Sequence, residues 1–514
     1  MITHKEYLER NAEWRSDRSA LRIAETGESV TWEAFDERAN RFGNALADRG
    51  IRKGDRVAVV LYNTVEFPVA VYGCYKIGAV PVPLNYMLTR GDFAYIFDDT
   101  NPQVVVYDAG VGEAVEGAAD DARRRADLIR VGDEGEAGES IEAYDQLLES
   151  GATRRPDDYP LHADETVYIL YTSGTTGNPK GVTFTAETAD RRAIEMASMT
   201  NLTQDSTALQ LSPWFHAGGI DNTVHPSVTG GAELVVQDDF GPEPALESIE
   251  SYAVTHISSV PTLTKRIAET EGVDDRNLSS IECWINMGSP LSQRNAETFL
   301  ETLTPNVYNN YGTTETLTDT VLRPEDLPEK AGTVGRPNID KRVRTIRTDR
   351  GRRVDPDETV PVGEKGQVVV SGDTLFDGYF GNAEATKRAY NDGWFYTKDV
   401  GVIDEDGYLT ITGRADDMIN SGGELVSPVE VEDALESHDG VEAAIVVGVP
   451  DEEWGERVKA IVVADEGTDE ETLVEYCKAS GRLAGYKRPR RWEFTDELER
   501  TATGKKQRFK YRPD

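Results

Sequence analysis

Apolar residues in the first part of the chain alternate between two periods. TWEAFDERANRFGNALADRG, residues 31–50, carries them at helical spacing, with Thr31 in the capping position and Gly50 as the stop. DRVAVVLY follows as a buried run of strand length, NTVEFPVAVYGCYKIGA as a second helix and VPVPLN as a short strand. VYILY (167–171), GAELVVQ and THISSV resume the strand pattern further on. Between them, residues 111–160 are rich in Asp, Glu and Arg and predict only a solvated helix and a surface loop. Near residue 413 the character changes. A Gly-rich loop, a helix over about 428–437, strands at VEAAIVVGV and RVKAIVVA, a helix near 472–480 and a basic tail form a unit of small-domain size. The rhythm predicts an α/β protein: a large multi-subdomain N-terminal domain of helix-covered mixed sheets over residues 1–414, and a small α+β C-terminal domain over 415–514.

Length and charge narrow the class. A chain of 514 residues exceeds one ordinary core. Its 55 Lys and Arg against 93 Asp and Glu give a net charge of −38, which disfavours nucleic acid or an anionic membrane as a partner. Lysine is scarce, 16 against 39 arginines, and an acidic, lysine-poor surface suggests a halophilic protein of a salt-rich cytosol. Cys74, Cys283 and Cys477 lie far apart without metal-ligand spacing, which argues against a disulfide framework or zinc. No apolar run approaches bilayer-spanning length and the N-terminus has no secretory h-region, so the expectation is a cytoplasmic protein with no stable membrane insertion.

The candidate chemistry begins at YTSGTTGNPKGV, residues 171–182. Gly174, Gly177 and Gly181 permit close backbone approach, Thr172, Ser173, Thr175 and Thr176 add hydroxyl donors, and Lys180 adds a charge. Such a composition also suits a plain solvent loop. It is not a Walker A loop, which needs four residues between its glycines and a Lys directly after the second. From Gly485 to Asp514, ten Lys and Arg stand against five Asp and Glu, a net +5 that either meets an anionic ligand or balances neighbouring carboxylates.

The 171–182 string resembles the ATP-phosphate loop of the adenylate-forming superfamily, which includes acyl-CoA synthetases, peptide-synthetase adenylation domains and luciferases. Further segments resemble that family in the same order: SPWFHAGG, NMGSPLS, YNNYGTTET, GWFYTKDVG with GRADDMINSGGELVSPVEVE, and ERTATGKKQRFK. The resemblance implies an acyl pocket at Trp214, His216, Gly218 and Gly219, adenine and ribose contacts at Gly288, Ser289, Pro290, Asn310, Tyr311, Gly312, Asp399 and Arg414, and Thr314 near the α-phosphate. It implies Glu315 as the Mg²⁺ ligand, Asp416 as the hinge of a mobile small domain and Lys505 as the catalytic lysine. Lys398 departs from the pattern, since the family usually has Gly before this Asp. Gly422 and Gly423 would border the pantetheine arm of CoA, with Trp454, Tyr486, Arg488 and Arg490 against its adenine and phosphates.

These matches imply an AMP-forming acyl-CoA synthetase that joins a carboxylic acid to ATP and then to CoA, with Mg²⁺ as cofactor. A fatty acid is the expected substrate, with an aryl acid as the alternative. A stand-alone enzyme loading a carrier protein and, from another class, a non-catalytic nucleotide-binding regulator are the competing readings. The sequence leaves a homodimer open.

Overall fold

The computed structural model describes residues 3–132, 141–157, 159–172, 179–238, 240–349, 353–414, 417–421, 424–451, 454–465, 467–480, 482–500 and 506–512. Backbone proximity divides the chain into two units. One comprises Met1–Ala331, Asn338–Asp340 and Gly372–Arg388. The other comprises Gly332–Pro337, Lys341–Ser371 and Ala389–Asp514.

In the first unit, a parallel sheet runs in the order Val80–Pro83, Arg56–Val60, Val104–Asp108, Asp127–Val131, Ile141–Ala143. Its central strands are buried Val/Ala runs, as sheets covered on both faces require. The helix Trp32–Asp48 starts where the sequence places it, with the Thr31 hydroxyl accepting from the Ala34 N–H, a cap worth about 1 kcal/mol. The segment 111–160 holds more than the sequence predicts. Besides the helix Gly112–Asp121 it supplies the strands Asp127–Val131 and Ile141–Ala143 and the helix Tyr144–Ser150. These strands lie toward the sheet's edge, where of their residues only Ile129 is fully buried, so they carry no apolar signature.

A second sheet in this unit contains, in order, Thr320–Leu322, Val307–Tyr311, Cys283–Met287, His256–Ser259, Thr207–Gln210, Glu233–Val236, Ser19–Ile23 and Ser29–Thr31. The strands from Val307–Tyr311 to Ser19–Ile23 are parallel, while Thr320–Leu322 and Ser29–Thr31 pair antiparallel with Val307–Tyr311 and Ser19–Ile23. The candidate loops at 288–290 and 312–316 follow the C-terminal ends of two adjacent parallel strands, the edge at which open α/β sheets bind ligands. The antiparallel pair Thr166–Thr172 and Lys180–Thr185 forms a third sheet with Gly378–Tyr379.

In the second unit, Arg342–Ile346, Gly366–Ser371, Trp394–Ile403 and Leu409–Arg414 form an antiparallel sheet. The strands Val441–Asp451 and Gly455–Ala464, the helices Pro428–Glu436 and Glu470–Ala479, and Leu483 close a separate α+β core on Val431, Leu435, Ala444, Val446, Val458 and Leu473.

Candidate active site

Thr172 and Lys180 face each other in register as the strands converge on the predicted phosphate loop. Ser173, Gly174, Thr175, Thr176 and Gly177 lie outside the described residues, as do Asp416, Gly422, Gly423 and Lys505. Gly181 is held close: a Cβ there would come 2.9 Å from the Ile169 side chain and 3.1 Å from the Tyr171 ring.

Around Glu315 the structure joins segments far apart in sequence. Gly312 has no room for a side chain, because a Cβ would fall on the Leu317 carbonyl. The Thr313 N–H donates to the Thr316 hydroxyl and the Leu317 N–H to the Thr313 carbonyl, fixing a tight turn that presents Glu315. The Tyr379 hydroxyl donates to Glu315 Oε1 at 2.8 Å, and the Phe376 N–H to the Glu315 carbonyl at 2.7 Å. The Lys180 ammonium sits 5.3 Å from the centre of the same Tyr379 ring. Lys180, Tyr379 and Glu315 thus form one edge carrying a cation and a carboxylate. Among the described residues no group of three or more His, Cys, Asp or Glu could cage a metal. A single carboxylate fits Mg²⁺, which typically takes one or two protein carboxylates and completes its shell with nucleotide phosphates and water.

The predicted nucleotide-base positions also flank one edge. Gly288 adopts φ +84°, a left-handed conformation that a glycine accepts without strain, and Gly288, Ser289 and Pro290 are exposed beyond the strand Cys283–Met287. Asn310 is buried on the neighbouring strand, its Oδ1 without a hydrogen-bond partner, and Tyr311 follows, half-buried.

The acyl-pocket positions divide. Trp214 is 1% exposed, its ring edge-on to Phe67, and its backbone N–H donates to Asn63 Oδ1. Gly219 packs against backbone, where a Cβ would lie 2.5 Å from Trp214 Cα. His216 and Gly218 retain open surface, and a Cβ on Gly218 would come 2.9 Å from Met287 Sδ. Burial pushes the His216 imidazole down to about 4, so it is neutral near pH 7.

In the second unit, Asp399 and Arg414 are register partners on adjacent antiparallel strands, with Asp399 Oδ1 3.8 Å from Arg414 Nε. Lys398 has φ +65°. The position demands a left-handed backbone, which is the physical reason a glycine suits it and why a lysine there carries about 1–2 kcal/mol of strain.

The basic tail is largely paired within its own unit. Lys506 bonds Glu436 at 2.6 Å, Arg508 bonds Asp417 at 2.9 Å and Glu432 at 2.7 Å, Lys510 bonds Glu499 at 3.0 Å, and Arg512 and Lys487 pair with Asp417 and Glu430. Arg488 and Arg490 instead donate to the carbonyls of Leu483 and Gly485. Trp454 and Tyr486 are 42% and 38% exposed.

Sequence reasoning missed Tyr379, and it missed a fully buried ion pair between Arg192 and Asp221. Neither carries a local motif. Arg192 follows Arg191 in what reads as a charged helix face, and Tyr379 stands in an unremarked FDGYF run.

The model of the AMP-binding enzyme family matches residues 8–380, and that of the AMP-binding enzyme C-terminal domain matches 430–505. The chain is 35% identical to feruloyl-CoA synthase of Amycolatopsis sp over 489 residues, covering 95% of this chain and 94% of that protein. It is 34% identical to a long-chain-fatty-acid–CoA ligase of Mycobacterium tuberculosis, covering 93% and 91%. The solved structure of O-succinylbenzoate coenzyme A synthetase from Bacillus subtilis with ATP and magnesium superposes with a TM-score of 0.85 at 29% identity, covering 98% of both chains. With a family model spanning most of its length, the chain belongs to the adenylate-forming AMP-binding enzymes, in their acyl-CoA synthetase branch, and is an acid–thiol ligase.

Proposed function

We propose that the protein activates an uncharged-tail monocarboxylic acid, a fatty acid in the first reading, as its adenylate and transfers the acyl group to free CoA. The observation that carries the substrate class is His216. Held neutral two residues before Gly218, it offers no charge to a second carboxylate and suits an apolar chain. The second reading, an aryl acid, is favoured by the 35% identity to feruloyl-CoA synthase.

In the first step, a carboxylate oxygen attacks the α-phosphorus and pyrophosphate leaves. The acid is already ionised at neutral pH, so no base is required, and catalysis is chiefly positioning and charge stabilisation. When bound at Glu315, Mg²⁺ would neutralise phosphate charge. Lys180 and the 173–177 loop would hold the departing phosphates, Asp399 would accept the ribose hydroxyls with Arg414 donating to the same sugar, and Lys505 would bridge the carboxylate and α-phosphate. In the second step, the CoA thiol attacks the acyl carbon and AMP leaves. The proposed hinge at Asp416 would exchange Lys505 for the Gly422–Gly423 segment between the steps. Arg488 and Arg490 are the arginines proposed for the CoA phosphates, since both donate to carbonyls and neither has a carboxylate partner among the described residues.

A panel of aliphatic and aryl acids, assayed by pyrophosphate release with Mg²⁺-ATP and CoA, tests this reading, with the thioester identified by mass spectrometry. Acyl-CoA from a fatty acid is expected. Adenylate without transfer to free CoA would instead favour carrier-protein loading, and no adenylate with any acid would favour a nucleotide-binding regulator. Running the panel from low salt to about 2 M KCl tests the halophilic reading. With a net charge of −38, activity should rise as the Debye length falls from about 30 Å at 0.01 M to about 3 Å at 1 M.

A further inference from the structure

Arg192 lies on the helix Ala186–Thr200, beside Arg191, yet the two have opposite surroundings. Arg191 faces solvent and pairs with Glu187, while the Arg192 side chain is 0% exposed. Its Nε and Nη2 approach Asp221 Oδ2 at 3.1 and 2.8 Å, Nη1 donates to the Thr374 carbonyl at 3.1 Å, and Nη2 donates to the Thr314 carbonyl at 3.1 Å. The guanidinium also stacks over Phe184, on the strand that follows the phosphate loop, at 4.3 Å. Asp221 is held from its other side, where Oδ1 accepts from the Tyr168 hydroxyl at 2.7 Å and faces His225 Nδ1 at 3.2 Å. Burial alone would raise the Asp221 carboxyl, but Arg192, His225 and Tyr168 outweigh it and keep it ionised, below the usual carboxylate range.

A buried ion pair is a poor stabiliser, because apolar residues of the same volume usually serve as well or better. What an arginine adds is a rigid planar fork that can hold several oxygens at once. Here the fork spans a carboxylate and two carbonyls, and the two carbonyls flank the Glu315 site. Thr314 precedes Glu315, and Thr374 lies two residues before Phe376, whose N–H holds the Glu315 carbonyl. Asp221 lies two residues beyond Gly219, and its neighbour Asn222 donates to Met287 Sδ at 3.0 Å. The acyl-pocket turn and the Glu315 loop therefore share one guanidinium.

We propose that Arg192, anchored by Asp221, is a positioning residue for adenylation that sets the Glu315 carboxylate in register with the acyl-pocket turn. This rests on the adenylation reading given above. Arg192 touches neither nucleotide nor acid; it acts through the Thr314 carbonyl. A lysine keeps the charge but cannot reach Asp221 and both carbonyls together. The adenylation half-reaction should then suffer selectively, since transfer from a preformed adenylate no longer needs the metal-bound phosphates.

The test compares wild type, Arg192→Lys and Asp221→Asn in two assays with an acid the wild type accepts. One is ATP–pyrophosphate exchange titrated with Mg²⁺-ATP, and the other is acyl-CoA formation from synthetic acyl-adenylate. Both variants are expected to need at least 10-fold more Mg²⁺-ATP for half-maximal exchange, or to lose 10- to 100-fold in its rate, with transfer from the adenylate within twofold of wild type. Exchange within twofold of wild type per folded molecule, an equal fall in both half-reactions, or failure of both variants to fold would overturn the proposal and leave the pair a purely structural one. A wild type that exchanges no pyrophosphate with any acid overturns the adenylation reading itself, and this inference with it.

Discussion

Tyr379 and Glu315, 64 residues apart, are joined by a 2.8 Å hydrogen bond in which the phenol donates to the carboxylate. The bond fixes which Glu315 oxygen remains free for a metal, and the ring that supplies it also carries the Lys180 ammonium on its face. The phosphate-loop strand and the Glu315 turn are thereby oriented by one side chain.

Tyr379→Phe keeps the ring and removes the donor. A hydrogen bond to a charged group is worth about 1.5–3 kcal/mol, part of which water recovers at this half-buried site. Half-saturating Mg²⁺-ATP in pyrophosphate release should rise about 3- to 10-fold with the maximal rate changed less than twofold. Unchanged saturation would reduce Tyr379 to a packing residue against Phe376.

His216 gives a pH prediction of definite sign. Its folded value of about 4 lies below the unfolded value of about 6.5, so between these the unfolded chain binds more protons. Stability then rises with pH across that window and is lost as pH falls through it, by at most about 3 kcal/mol at this site. Between pH 7 and pH 4.5 the wild type should lose about 2 kcal/mol more than His216→Gln, measured by urea unfolding. A difference near zero would mean the imidazole is hydrated and free to charge.

Lys398 makes a conformational prediction. Replacing it with Gly relieves a left-handed backbone but adds unfolded-state entropy, so Lys398→Gly should be neutral or stabilising by up to about 1 kcal/mol. Lys398→Val puts a β-branched residue at φ +65° and should destabilise by about 1–3 kcal/mol. Melting temperatures ranked Gly ≥ Lys > Val are expected; Val equal to Lys would show that this backbone relaxes freely.

The sequence made legible what chemistry concentrates locally. Glu315 stands in YGTTE, Asp399 beside Lys398, and the long helices and inner strands carry their own period. What it hid is what only the fold assembles. Arg191 and Arg192 are identical neighbours whose directions differ by about 100° around the helix, so one meets Glu187 and the other a buried carboxylate. The strand Asp127–Val131 escaped because, one place in from the sheet's edge, it buries only Ile129 fully and so shows little apolar period. The tail's net +5 was visible, but not that Lys506, Arg508 and Arg512 meet carboxylates on other segments of their unit.

Arg508 is the centre of that pairing, and its removal has a calculable sign. Its side chain is 15% exposed and answers two largely buried carboxylates, Asp417 and Glu432, while its Nε donates to the Val446 carbonyl. Burial disfavours its charge, but Glu432 and Asp417 more than compensate and raise its affinity for the proton. Arg508→Met would leave both carboxylates without their principal cation, at a cost of about 3–5 kcal/mol, because an uncompensated buried charge costs more than the pair contributed. Lys506, 3.6 Å from Glu432, and Arg512, on Asp417, temper the loss. Hydrogen exchange over Pro428–Glu436 reads this directly, since Glu432 lies on that helix: faster exchange in Arg508→Met than in the wild type is expected. Equal protection in variant and wild type would mean that Lys506 and Arg512 alone neutralise the two carboxylates.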